Sequence, residues 1–150
     1  MLGVTSLNPD DDLKNVDLID LLSDRYNLVR RISEKAWNEQ SEISISNSEW
    51  YIMSKIYKKQ PTISYVNRNV DISRQAIHKF IKQLVAKGLA EVENVENNKK
   101  EKCIRLTKLG EECFESNEVL KDQLENRIAE AIGEENFALL KNLLNQDWKI

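Results

Sequence analysis

The segment Ser73–Leu89 constrains this chain more than any other, because it specifies one helix at both ends and on both faces. Ser73 can cap the N-terminus with its hydroxyl. Ile77, Phe80, Ile81, Leu84 and Val85 recur at spacings of three and four, so they share one stripe that belongs in a core. Arg74, Gln75, His78, Lys79 and Lys82 occupy the opposite stripe, which is long-armed and free of acids. The helix closes at Lys87, with Gly88 placed for the left-handed backbone and Leu89 able to fold back on Leu84, as in a Schellman motif.

The flanking residues place this helix within a larger unit. Ser46-Asn47-Ser48-Glu49 reads as a capping box opening a helix to about Lys59, with Trp50, Met53, Ile56 and Tyr57 inward and Pro61 ending it. Thr62 can cap a short helix to about Asn69, whose core contacts are Tyr65 and Val66, and Val70-Asp71-Ile72 makes a tight turn. After the Ser73 helix, residues 90–95 and 102–106 read as strands, joined by the polar, turn-like stretch 96–101. Upstream, Leu18, Leu22, Tyr26, Val29, Ile32 and Ala36 align on a long helix from about Leu13 to Asn38. Downstream, Thr107 can cap a long helix carrying Leu109, Phe114, Leu120, Leu124, Ile128 and Ile132. Gly133 interrupts it, and a last helix from about Glu134 carries Phe137, Leu140, Leu143 and Leu144. The expected fold class is mostly α with a small β-wing, a winged helix-turn-helix between long N- and C-terminal helices. Residues 1–12 read as a flexible N-terminus, 43–107 as the winged helix-turn-helix, and 13–42 with 108–150 as a helical region.

Charge follows the same division. Residues 61–110 hold 10 basic and 5 acidic residues, net +5, although the chain of 150 residues is net −3. Residues 1–60 are net −2 (8 basic, 10 acidic) and 111–150 net −6 (4 basic, 10 acidic). A basic module between acidic flanks points to a polyanion. Arginine can fork onto a guanine edge, glutamine can pair with adenine, and lysine can reach a base or a phosphate. Residues in the first turns of a recognition helix are the ones that reach base edges. The expected DNA contacts are therefore Ser73, Arg74, Gln75, His78, Lys79 and Lys82, with Lys99 and Lys100 at the wing tip. Lys102, farther along the strand, is a less central contact. Taken alone, the helix could equally be amphipathic with a solvated basic face, and the wing lysines could simply protect an edge strand.

Other chemistries find little support. His78 is the only histidine and has no partner at ligand spacing. Cys103 and Cys113 make neither a disulfide framework nor a zinc pair, and read as reduced, partly buried thiols. There is no Gly-rich phosphate loop and no nucleophile–histidine–acid order, so neither an enzyme nor a cofactor is expected. No apolar run is long enough for a bilayer, and the N-terminus lacks a basic-then-apolar leader. The expected location is the cytoplasm, with no membrane partner.

Ile72-Ser73-Arg74-Gln75-Ala76-Ile77, Leu84-Val85-Ala86-Lys87-Gly88-Leu89 and Ile104-Arg105-Leu106-Thr107-Lys108-Leu109-Gly110 resemble the MarR (multiple antibiotic resistance regulator) family of winged-helix regulators, over about Leu13 to Asn145. The resemblance implies a homodimer intertwined through the first, fifth and sixth helices. It also implies two recognition helices on a pseudo-palindrome with half-sites about 10 bp apart. Relatives are often repressors released by a small anionic or aromatic ligand, which makes Trp37, Trp50, Tyr51 and Tyr57 a candidate effector cleft. Core packing is the other reading of these four. Cys103 and Cys113 do not match the N-terminal reactive cysteine of oxidation-sensing relatives. The wing departs from the family pattern of acid, any residue, arginine, because Asn98-Lys99-Lys100 stands there. Lysine lacks the planar fork of arginine, so phosphate contact is expected in place of minor-groove insertion. Two functions remain open: a sequence-specific DNA-binding regulator, and a winged-helix protein-interaction module that has lost DNA binding.

Overall fold

The computed structural model describes residues 16–150. The 1–12 tail and the expected helix start at Leu13 lie outside the described residues. Six helices and a hairpin follow in the order α1 (Leu18–Gln40), α2 (Asn47–Ile56), α3 (Ile63–Asn69), α4 (Arg74–Ala86), β1 (Ala90–Val95), β2 (Asn98–Leu106), α5 (Lys108–Ile132) and α6 (Glu134–Asn145). None of these helices is long and apolar enough to cross a membrane.

Local chemistry explains most boundaries. Asp17 caps α1, accepting from the Asp20 amide at 2.8 Å, so the helix opens at Leu18. The Ser46/Glu49 box is complete, with Glu49 N–H donating to Ser46 Oγ at 3.2 Å and Ser46 N–H to Glu49 Oε1 at 2.9 Å. Thr62, Ser73 and Thr107 cap α3, α4 and α5 through their hydroxyls. Gly88, at φ 75°, completes the Schellman motif: Leu89 N–H donates to Leu84 O at 2.9 Å and Gly88 N–H to Val85 O at 3.0 Å.

Three expectations need correction. Helix α2 stops at Ile56 rather than near Lys59, because Lys58 turns left-handed (φ 55°) and the chain then joins the sheet. Ile104 N–H donates to Pro61 O at 2.9 Å and Thr62 bridges to Cys103, a stub of third strand that competes with continued helix. The second strand begins at Asn98, so the polar stretch 98–101 is strand and the turn shrinks to Glu96-Asn97, with Asn97 at φ 64°. Register explains the extra length. Ala90 pairs with Leu106 and Asn94 with Lys102, whereas Val95 pairs with Asn98, which leaves residues 99–101 bulged out of the ladder. Finally, several core assignments shift by one helical position. Tyr65 is exposed because Ile63 and Val66, with Val70 just past the helix end, turn inward. Val85 is exposed on α4, where Ile77, Ile81 and Leu84 go inward. Ile52 is fully buried on α2, while Trp50 and Tyr57 are half-buried at its edges.

The core lies in the middle of the chain, between Trp37 and Phe114. The first half of α1, the second half of α5 and all of α6 add no buried residue. Leu18, Ile19, Val119, Leu139, Leu143 and Leu144 stay exposed along them. Apolar surface of this extent is unusual for a soluble chain on its own.

Candidate nucleic-acid interface

Helix α4 is held by its buried stripe and by both of its ends. At the C-terminal end Lys87 reaches across to the start of α2, donating to Glu49 Oε2 at 2.7 Å, Glu49 Oε1 at 2.8 Å and Ser44 O at 2.6 Å. Glu49 is almost completely buried, so this ion pair sits largely out of water. Behind it, Thr107 Oγ1 donates to Gly88 O at 2.6 Å and accepts from Gly110 N–H, which ties the end of α4 to the start of α5. The helix therefore presents its outer face from a rigid mount.

That outer face carries the expected residues. Arg74, Gln75, His78, Lys79 and Lys82 are all exposed, with no acid anywhere on the helix. Ser73 is exposed too, although its oxygen already accepts the Ala76 N–H at 3.2 Å. The Lys79 ammonium leans over the Phe80 ring at 5.8 Å. The wing comes close at one place. Arg74 and His78 share a cleft of ≈ 390 Å³ with Lys100 and Lys102. Gln75, Lys79 and Lys82 lie outside that cleft, Lys82 lining an adjoining apolar hollow beneath the wing. The Lys99 side chain lies outside the described residues.

The two faces of the wing differ chemically. Lys102 shares its face with Ile104 and Val92, which turn toward α4. On the other face Arg105 is forked onto Glu91 (2.8 and 3.2 Å) and Glu93 (3.0 Å). The Glu91 hydrogen bond, then the charge of Glu93, push the guanidinium above its ordinary range. Arg105 is thus held by its neighbours, while Lys100 and Lys102, with no ion-pair partner among the described residues, line the clefts against α4. Asn98, standing where the family pattern has an acid, accepts the Lys100 N–H at 3.0 Å and shapes the bulge.

The four aromatic candidates for an effector cleft do not stay together. Trp50 and Tyr51 line a cavity of ≈ 460 Å³ between α1, α2 and α5. Trp37 belongs to the core: it meets Trp50 edge-on at 5.0 Å and donates its indole N–H to Ile43 O at 2.7 Å. Tyr57 stacks on Phe114 at 4.4 Å and donates its hydroxyl to Glu115 Oε2 at 2.8 Å. That bond chiefly, with burial and the Glu115 charge, pushes the phenol from 10.0 up to about 12. The sequence reading missed Arg30 and Lys121, cations that line the same cavity from α1 and α5. Arg30 stacks over Tyr26 one turn earlier, a spacing visible in the sequence, and its Nε is enclosed without an acceptor. Cys103 and Cys113 are both buried, and burial, then Glu112, pushes the Cys113 thiol up. Among the described residues no group of three or more histidine, cysteine or carboxylate side chains could hold a metal ion.

No protein-family model matches the sequence, and no curated protein matches it. Solved structures do. Streptococcus pneumoniae FabT in complex with DNA is 22% identical, with a TM-score of 0.72 over 85% of this chain and 90% of that one. A putative MarR-like transcription regulator from Bacillus cereus is 22% identical, with a TM-score of 0.69 over 88% and 94%. The multiple antibiotic resistance repressor MarR is 18% identical, with a TM-score of 0.68 over 86% and 93%. These neighbours are transcriptional regulators rather than enzymes, and at such identities the likeness concerns the fold. With its helix–turn–helix, its hairpin wing and its flanking long helices, the chain has the winged-helix fold of the MarR-family regulators.

Proposed function

We propose that this chain is a sequence-specific DNA-binding transcriptional regulator, a repressor, that works in the cytoplasm as a homodimer. The observation that carries the reading is the acid-free outer face of α4, rigidly mounted and joined by wing lysines, on a chain that is otherwise acidic. A neighbour of the same fold is known with DNA bound, which supports it. Arg74 and Gln75 in the first turn read base edges, Ser73, His78, Lys79 and Lys82 flank them, and Lys99 and Lys100 meet the backbone.

The exposed apolar residues of α1 and α6 support the dimer, because a second copy would cover them. On this reading 43–107 binds DNA while 13–42 and 108–150 pair the protomers, and a pseudo-palindromic site follows from two-fold symmetry. The cavity at Trp50 and Tyr51, whose wall sets Arg30 and Lys121 beside Glu34 and Glu125, suits a small aromatic effector.

Selection from random duplex DNA tests the proposal. The expected result is an enriched inverted repeat bound with affinity that falls steeply in salt. Arg74→Ala and Gln75→Ala should each cost about 1–3 kcal/mol and relax base preference. Lys100→Ala should weaken all sequences alike and reduce the salt slope by about 1. One observation favours the protein-interaction module: the outer wing face spends Arg105 on Glu91 and Glu93. No enrichment, and no effect of these substitutions, would leave that module standing.

A further inference from the structure

Helix α2 carries two side-chain stripes that face opposite ways. Asn47, Trp50, Tyr51 and Ser54 follow one another at steps of three, one and three, and all four line the cavity of ≈ 460 Å³ against α1 and α5. Glu49, Ile52, Met53 and Ile56 repeat those steps two positions later, and they are the buried residues of the helix. A shift of two residues is about 200° around a helix, so the stripes stand nearly back to back. The second stripe enters the core that also holds Ile77, Ile81 and Leu84 of α4. One short helix thus separates the cavity from the recognition helix.

The head of α2 is fastened unequally on its two sides. Toward α4, Lys87 gives all three ammonium protons to acceptors: Glu49 Oε2 at 2.7 Å, Glu49 Oε1 at 2.8 Å and Ser44 O at 2.6 Å. Pulling these groups apart would strand a carboxylate that is 1% exposed, so the two ends move together. Glu49 also closes the capping box with Ser46, which stiffens the first turn. Toward α1, Asn47 Nδ2 donates to the Tyr26 hydroxyl at 3.3 Å, a long bond between neutral groups in reach of water. Such a bond holds far less strongly than the buried pair. The loop before α2 is pinned to α1 where Trp37 donates to Ile43 O at 2.7 Å, which gives the helix a pivot. An occupant that wedges α2 away from α1 opens the weak contact first and carries the strong one with it.

We infer that α2 is the lever by which an occupant of this cavity turns the recognition helix, with the Lys87–Glu49 pair as its coupling. The lever rests on the effector reading of the cavity and on DNA binding, and it names the residues that join the two. Lys87 and Glu49 are positioning residues here: neither touches the occupant, and neither is asked to touch DNA. A coupling of this kind needs one element with two placements that both sites bias, and α2 has a contact with each.

Ser33→Trp tests it. Ser33 lines the cavity from α1, and an indole placed there stands in for an aromatic effector. Affinity for the tightest selected duplex is measured by fluorescence anisotropy in four full-length proteins: the wild type, Ser33→Trp, Glu49→Gln/Lys87→Met, and the variant with all three changes. Glutamine keeps the cap on Ser46 and methionine keeps much of the apolar stem, so the double change removes mainly the ion pair. Urea unfolding confirms that each protein is folded. Ser33→Trp should weaken the wild type about tenfold, an ordinary size for coupling between sites. In the Glu49→Gln/Lys87→Met background the same change should cost less than about twofold. Equal losses in both backgrounds would overturn the lever and leave the effector reading standing. No loss in the wild type would remove the lever and the effector reading together, and a wild type that binds no duplex would remove the DNA-binding reading as well. If the Glu49→Gln/Lys87→Met protein does not fold, amide exchange in Ser33→Trp decides. The Lys87, Gly88 and Leu89 amides, which close the end of α4, should exchange about tenfold faster than in the wild type. Unchanged rates there would overturn the lever.

Discussion

Replacing Gly110 with alanine should damage this protein although alanine is the better helix former. A Cβ on Gly110 would lie 2.0 Å from Leu89 O and 3.0 Å from Leu89 C, both backbone atoms. The chain would have to open by about 1.4 Å to restore an ordinary contact, and overpacking of that kind costs about 1–3 kcal/mol. The same carbonyl accepts the Thr107 N–H at 3.0 Å, and Leu89 is fully buried. Losing that hydrogen bond in the interior adds about 1–3 kcal/mol. The helix-propensity gain returns about 1 kcal/mol. The net expectation is a loss of about 3 kcal/mol, a fall of about 1–2 M in the urea midpoint at unchanged slope. Urea unfolding should be followed at one fixed protomer concentration, since dimerisation would make the midpoint concentration-dependent. Gly88→Ala is the control: it strains a residue at φ 75° but meets nothing within 4 Å, so it should cost only about 1–2 kcal/mol. A Gly110→Ala protein as stable as the wild type would refute the claim that α5 and the end of α4 touch backbone to backbone.

Lys87→Ala leaves the buried Glu49 carboxylate without its cation. It should cost about 2–3 kcal/mol, below the ~3–5 of a fully buried pair because water reaches Lys87. Glu49→Ala should cost more, since the Ser46 amide also loses its acceptor, and the double variant should lose less than the sum in urea unfolding. Tyr57, raised from 10.0 to about 12, should ionise only well above pH 10 in an ultraviolet titration. Its raised value means stability that is intact below pH 10 and lost as pH climbs toward 12, and Tyr57→Phe should remove both effects. Cys103 and Cys113 should alkylate slowly at neutral pH in the native protein and quickly in urea. A native rate equal to that of free cysteine would contradict their burial.

Features set within a few residues were legible in the sequence. The Ser46/Glu49 box, the Thr62, Ser73 and Thr107 caps and the Gly88 Schellman turn each depend on side chains within six positions of one another. The polar stripe of α4 follows from helical periodicity alone, and it stands exposed where the spacing put it. The apolar stripe gave the inward side but not its limits, because Val85, Tyr65 and Ile52 were decided by which neighbouring element happened to cover them.

Longer-range events were not legible. Nothing in 98–101 marks a strand. Those residues extend because β1 offers a partner and a bulge absorbs the misfit with the turn. The early end of α2 likewise reflects Pro61 and Thr62 pairing with a strand some forty residues later. The sequence showed Glu49 as a cap and Lys87 as a helix end, and only the folded chain put them 2.7 Å apart. The folded chain also divided Trp37, Trp50, Tyr51 and Tyr57 between the core, the cavity and a contact with α5, and gathered Ser64, Asn67 and Lys102 around Arg74. The physical reason is range. Caps, turns and periodic faces are settled by backbone hydrogen bonds and steric preferences acting over one or two turns. A cleft, a buried ion pair or a strand register depends on distant segments meeting, and that is set by how the whole core packs.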